Sequence, residues 1–311
     1  IVKQLLSVGF MIIGHQKIVS FFKEAMTENR LAQAYCLVGP DGVGKRKIAQ
    51  FVASQLLGVS EDKLTTHPDY YYLARLSDEK TGKLKKDISI GQAREMRGRL
   101  QNRSWLGGYQ ITIIDEAELL NEESGNALLK ILEEPGERNV FFLLTEDDAS
   151  LLSTVRSRCQ LFYLPLVAVE EIFNELKKLG HDENIARASA AIAWGRPGRA
   201  IGFAESPEER ENYLKEVARW EKTLDEPFYL KLKSVEDLFG DKIDHIRGRD
   251  KLQATLDLWM MLWRNYIVSD SNNNFSPTEA VAIIDRLREA KRLLGQNIHP
   301  RLLVEESLLR M

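Results

Sequence analysis

Short apolar runs alternate with helical repeats along the first half of the chain. Five apolar runs have the length and composition of strands, and they cover residues 34–38, 70–73, 109–114, 140–144 and 160–164. Between them, apolar residues recur every three or four positions, which predicts helices over residues 17–29, 45–57, 88–102 and 122–134. This alternation predicts an α/β domain, in which helices cover both faces of a parallel sheet.

The second half of the chain shows only the helical repeat. Polar turns at residues 195–198 and 269–274 separate its helices, and the charged segment 205–209 divides a short helical stretch from a longer one. We therefore expect an α/β domain over residues 11–166, a small helical lid domain over 167–206 and a larger helical collar domain over 207–311. Met11 opens a stretch that is typical of a natural start, so residues 1–10 are expected to be a non-native extension.

Composition restricts the class of protein. With 311 residues, of which 44% are hydrophobic and 29% charged, the chain can form cores in more than one domain. Its net charge of −3 excludes a uniformly basic nucleic-acid-binding protein, so any DNA contact must be local. No apolar run reaches the roughly 18 residues of a membrane span, and the first ten residues lack the pattern of a signal peptide.

Cys36 and Cys159 are the two cysteines of the sequence, and both lie in apolar strand-like runs. Two cysteines cannot build a disulfide framework, and cysteines in such runs are commonly buried free thiols. We therefore expect a cytoplasmic protein without a membrane segment.

Residues 39–46 have the sequence of a phosphate-binding loop with one altered position. Gly39, Gly42 and Gly44 follow an apolar strand and precede a helix, which lets main-chain N–H groups converge on an anion. Lys45 is placed to reach terminal phosphates, but Arg46 replaces the hydroxyl that ligates Mg²⁺. A positive charge about 4 Å from a divalent cation costs roughly 2 kcal/mol even in water. ATP binding is thus doubtful, and two interpretations stay open: an anion-binding loop without metal, or a glycine turn kept for packing.

Asp115 and Glu116 end the continuously apolar strand that follows this loop along the chain. In an active ATPase, the first carboxylate would hold Mg²⁺ through water and the second would polarise the attacking water. Because Arg46 is present, one or both carboxylates are alternatively expected to neutralise the basic loop.

Basic residues cluster in the predicted helix 88–102 and just before it. These residues are Lys83, Lys85, Lys86, Arg94, Arg97, Arg99 and Arg103. In a chain of negative net charge, this cluster is the best candidate for contact with the DNA backbone, by charge neutralisation without base reading. A solvated helix face explains the same residues equally well.

Several motifs together resemble the AAA+ clamp-loader subunits. They are the loop with the altered hydroxyl position, Ile114–Glu118, Asn126–Lys130, Leu132–Pro135 and Ser157–Cys159. The resemblance covers residues 12 to about 166 specifically and continues more diffusely to the C-terminus, where residues 293–298 look like the collar domain of the family. It implies an AAA+ P-loop domain followed by helical lid and collar domains.

The resemblance also implies a role for Arg158. In this family the arginine of the Ser-Arg-Cys motif acts in trans, so Arg158 would enter the ATP site of a neighbouring subunit and stabilise charge on the transferring phosphoryl group. Without the resemblance, Arg158 would be interpreted as an ordinary surface charge. Cys159 beside it is expected to be buried packing.

Three features indicate which type of clamp-loader subunit the chain resembles. Arg46 alters the phosphate loop, Gly198 stands where a motor subunit would place a sensing arginine, and the Ser-Arg-Cys motif at residues 157–159 is retained. Residues 57–67 also contain no cysteine cluster for zinc, although this absence discriminates less than Arg46 does. These features favour the delta-prime type. For this chain we therefore expect no intrinsic ATPase activity, no zinc and no certain cofactor. The implied partners are the gamma/tau and delta subunits in a pentameric ring, the beta sliding clamp and primed DNA.

Two other functions remain open from the sequence. The chain could be an active ATPase motor of the gamma type, which Arg46 and Gly198 disfavour. It could also be an autonomous DNA-binding module, which the overall acidity disfavours.

Overall fold

The computed structural model describes residues 12–77, 85, 87–100, 104, 107–133, 136, 138–239, 245–268, 275–294 and 299–309, with the main chain alone for 237, 245–251 and 300. The chain forms two compact units. The first contains residues up to Leu76 and Lys85–Pro207, and the second contains Ser77–Leu84 and Glu208–Met311. Residues 1–10 of the expected extension lie outside the described residues.

A five-stranded parallel sheet forms the centre of the first unit. Its strands are β1 (Ala34–Val38), β2 (Tyr70–Leu73), β3 (Gln110–Ile114), β4 (Asn139–Thr145) and β5 (Gln160–Tyr163). Their order across the sheet is β2-β3-β4-β1-β5, and every neighbouring pair is parallel. β1, β3 and β4 are buried along their whole length, as strands covered on both faces must be. The carboxyl ends of β1 and β3 therefore open on the same edge of the sheet.

Helices cover both faces of this sheet. They are α1 (Gln16–Thr27), α2 (Lys45–Leu57), α3 (Ile90–Leu100), α4 (Glu122–Glu133) and the short α5 (Ser153–Arg156). Successive residues of β1 enter opposite core layers, because strand side chains alternate between faces. Tyr35 packs with Phe22 of α1 and Phe142 of β4, whereas Cys36 packs in the layer that contains Leu128 of α4.

Three helices follow the sheet within the first unit: α6 (Val169–Lys178), α7 (Glu183–Ile192) and α8 (Pro197–Glu205). A main-chain hydrogen bond of 2.8 Å from Val167 to Gly195 joins the segment after β5 to the turn before α8. This bond helps to fix where α8 begins.

The second unit is helical in its described residues. Its helices are α9 (Pro207–Asp225), α10 (Phe228–Ser234), α11 (His245–Val268), α12 (Pro277–Leu294) and α13 (Pro300–Leu308). Trp259 and Trp263 of α11 are fully buried, and the ring of Trp263 lies 5.6 Å from that of Trp220 and 5.0 Å from that of Phe275. The aromatic residues of α11 therefore pack in the core of this unit.

The predicted fold class is confirmed: a parallel α/β sheet with a P-loop after β1, followed by helices. The strands and helices of the α/β region agree with the sequence prediction to within about two residues at their described ends. Residues 101–102 of the predicted helix and 295–298 of the collar motif lie outside the described residues. The division into three domains stays a prediction, because the two compact units group α6–α8 with the sheet.

Candidate functional site

The phosphate-type loop lies between β1 and α2, where the sequence predicts it. Its main chain is joined to β4 by a hydrogen bond of 3.1 Å from Gly39 to Thr145. Gly42 and Gly44 have φ angles of +74° and +113°, which side chains with a Cβ atom rarely adopt. The loop therefore keeps the left-handed turns that its glycines allow.

Lys45 is turned onto the loop itself. Its Nζ donates hydrogen bonds to the main-chain oxygens of Gly39 and, over 3.2 Å, of Pro40. Burial lowers the pKa of Lys45, although the charges of nearby carboxylates, first Glu146 and then Asp41, partly oppose this effect. The ammonium group thus already has protein acceptors for at least two of its three donors.

Arg46 pairs with Asp115 across the edge of the sheet. Its Nε donates to Oδ2 of Asp115 over 3.0 Å, and its Nη2 donates to the same oxygen. The hydroxyl of Tyr72 donates to that oxygen as well, and the guanidinium lies 4.9 Å from the centre of the Tyr72 ring. Burial lowers the pKa of Arg46, but the hydrogen bond to Asp115 and its charge outweigh burial and raise it. The expectation that a carboxylate neutralises the basic loop agrees with this contact.

Glu116 is held by a different cation. Nε and Nη2 of Arg75 donate to its two carboxylate oxygens over 2.9 and 2.7 Å, in a bidentate geometry. The Arg75 side chain is only 15% exposed, and Glu116 itself has a φ of +50°, which is strained for a residue with a side chain. Arg75 was not predicted from the sequence. Its position two residues after β2 could have indicated it, because β2 pairs with β3 and both strands end on the same edge of the sheet.

The start of α8 lies directly on the phosphate-type loop. The main-chain N–H of Gly198 donates to the carbonyl of Gly42 over 2.8 Å. A Cβ atom at Gly198 would lie 3.1 Å from that oxygen, a tight contact that would require helix and loop to shift apart by a few tenths of an ångström. On the other side of the loop, Nε2 of His15 lies 3.1 Å from the carbonyl of Val43. Gly198, where the sequence analysis expects a motor subunit to carry a sensing arginine, thus contacts the phosphate-type loop through its main chain.

These contacts test whether the residues fit a magnesium nucleotide, which the fold class implies. Asp115 would have to exchange the Arg46 guanidinium for a divalent cation, and Lys45 would have to leave two carbonyls. The residues therefore do not fit a metal–nucleotide complex, and we derive no catalytic step within this chain. Among the described residues, no group of three or more His, Cys, Asp or Glu side chains could hold a metal ion.

Arg158 lies at the far end of the sheet, in the turn between α5 and β5. Its Nη1 donates to the carbonyl of Thr154 over 2.9 Å, and its Nη2 donates to Oε1 of Glu133 over 2.8 Å. The side chain is 38% exposed, so part of the guanidinium faces outward. Burial raises the pKa of the adjacent Cys159 to about 12, which makes this thiol unreactive at neutral pH.

The basic cluster of α3 is exposed in part. Arg94, Arg97 and Arg99 are exposed, as is Lys85 before the helix. Arg99 pairs with Glu95 over 3.1 Å and lies 5.0 Å from the ring centre of Tyr71. Arg103, Lys83 and Lys86 lie outside the described residues. Arg94 and Arg97 thus present their charge to solvent, whereas Arg99 also takes part in intramolecular contacts.

Among the described helices, none is long and apolar enough to cross a membrane.

The α/β region is similar to known proteins. The family model described as DNA polymerase III, delta subunit, matches residues 14–168. The DNA polymerase III subunit delta-prime of Pseudomonas aeruginosa is 37% identical over 142 residues, which cover 41% of this chain and 42% of that protein. The delta-prime subunit of Escherichia coli K12 is 35% identical over 139 residues, covering 44% and 40%. The tau subunit of the same organism is 30% identical over 189 residues, covering 58% and 29%.

The chain spans less than half of the length of these relatives in the matched regions. The matched region of the family model contains the phosphate-type loop, both carboxylates and Arg158. Two of the three relatives above are delta-prime subunits, and these have the higher identities. The α/β region of the chain therefore belongs to the family of DNA polymerase III delta-prime subunits.

Proposed function

We propose that the chain is a clamp-loader subunit that hydrolyses no ATP itself and supplies Arg158 to the ATP site of a neighbouring subunit. The ion pair between Arg46 and Asp115 is the observation that carries the first half of this proposal. A carboxylate that accepts two guanidinium N–H groups and a tyrosine hydroxyl is a poor ligand for Mg²⁺, because the metal would have to displace those donors.

The second half of the proposal is supported by the exposure and chemistry of Arg158. A guanidinium is permanently charged and presents its donors in a plane, which suits the oxygens of a phosphoryl group. Arg158 lies at the opposite end of β5 from the phosphate-type loop, and this position supports a role at the nucleotide of another chain.

The proposed partners are the gamma/tau and delta subunits in a pentameric ring, the beta sliding clamp and primed DNA. The complex would open the clamp and place it on DNA, in the cytoplasm where the chromosome is replicated. Arg94 and Arg97 of α3 are proposed to contact DNA phosphates, because both are exposed. Such contacts would bind the DNA backbone without reading its sequence. Arg99 is expected to contribute less, because it already contacts Glu95 and Tyr71.

Reconstitution with the partner subunits tests the arginine donor. Arg158→Ala should abolish the fast hydrolysis phase at the ATP site that it serves, because arginines in this role accelerate phosphoryl transfer by about 10³-fold or more in other NTPases. Single-turnover ATP hydrolysis, stimulated by clamp and primed DNA, measures this phase. Arg156→Ala is the matched control, since Arg156 is two residues away and pairs with Asp148 over 2.6 Å. Equal hydrolysis in wild type and Arg158→Ala would refute the donor role.

An active motor of the gamma type is the second candidate, because the tau subunit also matches over 58% of this chain. Isothermal titration of the isolated chain with Mg-ATP separates the two functions. Tight, magnesium-dependent binding followed by hydrolysis would favour the motor, whereas the proposed subunit shows neither.

A further inference from the structure

Glu133, the last residue of α4, contacts the guanidinium of Arg158. The contact is a hydrogen bond of 2.8 Å from Nη2 of Arg158 to Oε1 of Glu133, between side chains that are 38% and 50% exposed. The carbonyl of Thr154 in α5 accepts a second bond of 2.9 Å from Nη1. Two different helices therefore fix the plane of one guanidinium group.

These two bonds leave most of the donors of Arg158 available. A guanidinium has five N–H groups, and the bonds to Glu133 and Thr154 use one on each terminal nitrogen. Nε–H and one N–H on each terminal nitrogen remain. Phosphoryl oxygens can thus be bound while Glu133 stays in place, since its bond does not use the whole fork.

Holding the side chain in advance has an energetic consequence. Arginine has several rotatable bonds, and freezing them on contact with a ligand opposes binding. A guanidinium that is already oriented loses less freedom when it meets the phosphoryl group. Because both side chains are partly exposed, the pair is weak enough to adjust when a neighbouring chain arrives.

We propose that Glu133 is a positioning residue for Arg158: it orients the guanidinium toward a neighbouring subunit's phosphoryl group and does not itself touch nucleotide. This inference rests on the proposed function of Arg158. A merely structural alternative is that the pair only ties α4 to α5, and the two roles give different measurements.

The first measurement uses the isolated full-length chain and needs no partner. Side-chain ¹⁵N NMR of the arginines reports rotation about the Nε–Cζ bond, and the Arg158 signals are identified by their loss in Arg158→Lys. We expect slow rotation in the wild type and faster rotation in Glu133→Ala. Glu133→Gln should lie between them, because its amide oxygen still accepts a hydrogen bond but has no charge. Equally fast rotation in all three proteins would overturn the proposal.

The second measurement uses the reconstituted complex. The hydrolysis phase that Arg158→Ala abolishes should slow about twofold to fivefold in Glu133→Ala, the range expected for an exposed ion pair, with an unchanged KM for ATP. Glu133→Gln should recover part of the rate. Glu123→Ala, at an exposed position in the first turn of the same helix, is the control and should leave the phase unchanged.

The outcomes separate this inference from the function on which it rests. An unchanged rate in Glu133→Ala, with the phase still lost in Arg158→Ala, would overturn the positioning role alone. A further loss when Glu133→Ala is added to Arg158→Ala would also overturn it, because Glu133 would then act through other residues. No effect of Arg158→Ala would overturn both proposals. Thermal unfolding of each variant verifies that it is folded.

Discussion

The ion pair between Arg46 and Asp115 can be removed by substituting either residue. Arg46→Met keeps much of the aliphatic side chain and removes the guanidinium, so Asp115 loses a charged partner that donates two hydrogen bonds to it. Asp115→Asn keeps the shape of the carboxylate and removes its charge. Both variants should be less stable than the wild type, and the double variant should be less destabilised than the sum of the two.

The expected loss follows from the exposure of the two side chains. Arg46 is 57% exposed and Asp115 only 16%, so the pair lies between a surface pair, worth about 0.2–1 kcal/mol, and a buried one, whose disruption costs about 3–5 kcal/mol. An intermediate loss of about 2 kcal/mol is expected for Arg46→Met. The cation–π contact with Tyr72 at 4.9 Å adds about 0.5 kcal/mol. For a unit of this size, the total lowers Tm by roughly 5–10 °C.

Thermal and urea unfolding, followed by circular dichroism, measure these losses for the four proteins of the double-mutant cycle. The coupling free energy should be about 1.5 kcal/mol and should fall at high ionic strength, because salt screens the exposed end of the pair. Arg99→Met is the matched control. Arg99 also pairs with a carboxylate and lies 5.0 Å from a tyrosine ring, but both members of its ion pair are more than half exposed.

Two results would contradict this account. One is an equal loss of stability in Arg46→Met and Arg99→Met, which would mean that the burial of Asp115 does not matter. The other is a coupling free energy below about 0.5 kcal/mol, which would place the pair among ordinary surface contacts.

Three further predictions concern the same unit. Arg46→Thr, which restores the hydroxyl, should not restore ATP hydrolysis in the isolated chain, because Arg75 still holds Glu116; measurable Mg-dependent phosphate release would contradict this. The pKa of Lys45 in the folded protein is below its ordinary value of 10.5. Between the folded-state pKa and 10.5, the unfolded chain binds more protons than the folded protein, so Lys45 makes the free energy of unfolding rise with pH. Urea unfolding at several pH values should show this rise in the wild type and not in Lys45→Met. Cys159 is partly buried, and this burial raises its pKa to about 12. A thiol reagent at about pH 8 should therefore label it slowly in the native protein and quickly in urea, and equal rates would refute its protection.

The α/β region was predictable because its signals are local. The loop lies between an apolar strand and a helix in the sequence, and that order alone places its glycines at the carboxyl edge of a sheet. Arg46 lies in the first turn of the helix after β1, and Asp115 directly follows β3. Their approach could therefore be expected from the rule that parallel strands end on a common edge.

The remaining contacts depend on which strands and helices are neighbours, and the sequence does not state this. Arg75 meets Glu116 only because β2 borders β3. Glu133 and Arg158 are 25 positions apart, and their bond requires the end of α4 to lie beside the turn after α5. The bond between Gly198 and Gly42 joins residues 156 positions apart through main-chain atoms, so it has no side-chain pattern that could reveal it. Sequence reasoning identified Gly198 as lacking an arginine, and the structure adds what occupies that place.

This last contact has a consequence for which substitutions the phosphate-type loop tolerates. Where a loop binds a ligand, that ligand constrains its glycines; here the φ of +74° favours glycine at position 42, and the carbonyl of Gly42 accepts a hydrogen bond from Gly198 of the neighbouring helix. Bulky substitutions at Gly42 and Gly198 should be damaging whether or not the loop binds nucleotide, whereas a neutral residue should be better tolerated at Lys45. A glycine-rich loop can therefore be retained because a helix packs against it, and its presence alone is weak evidence for an ATPase.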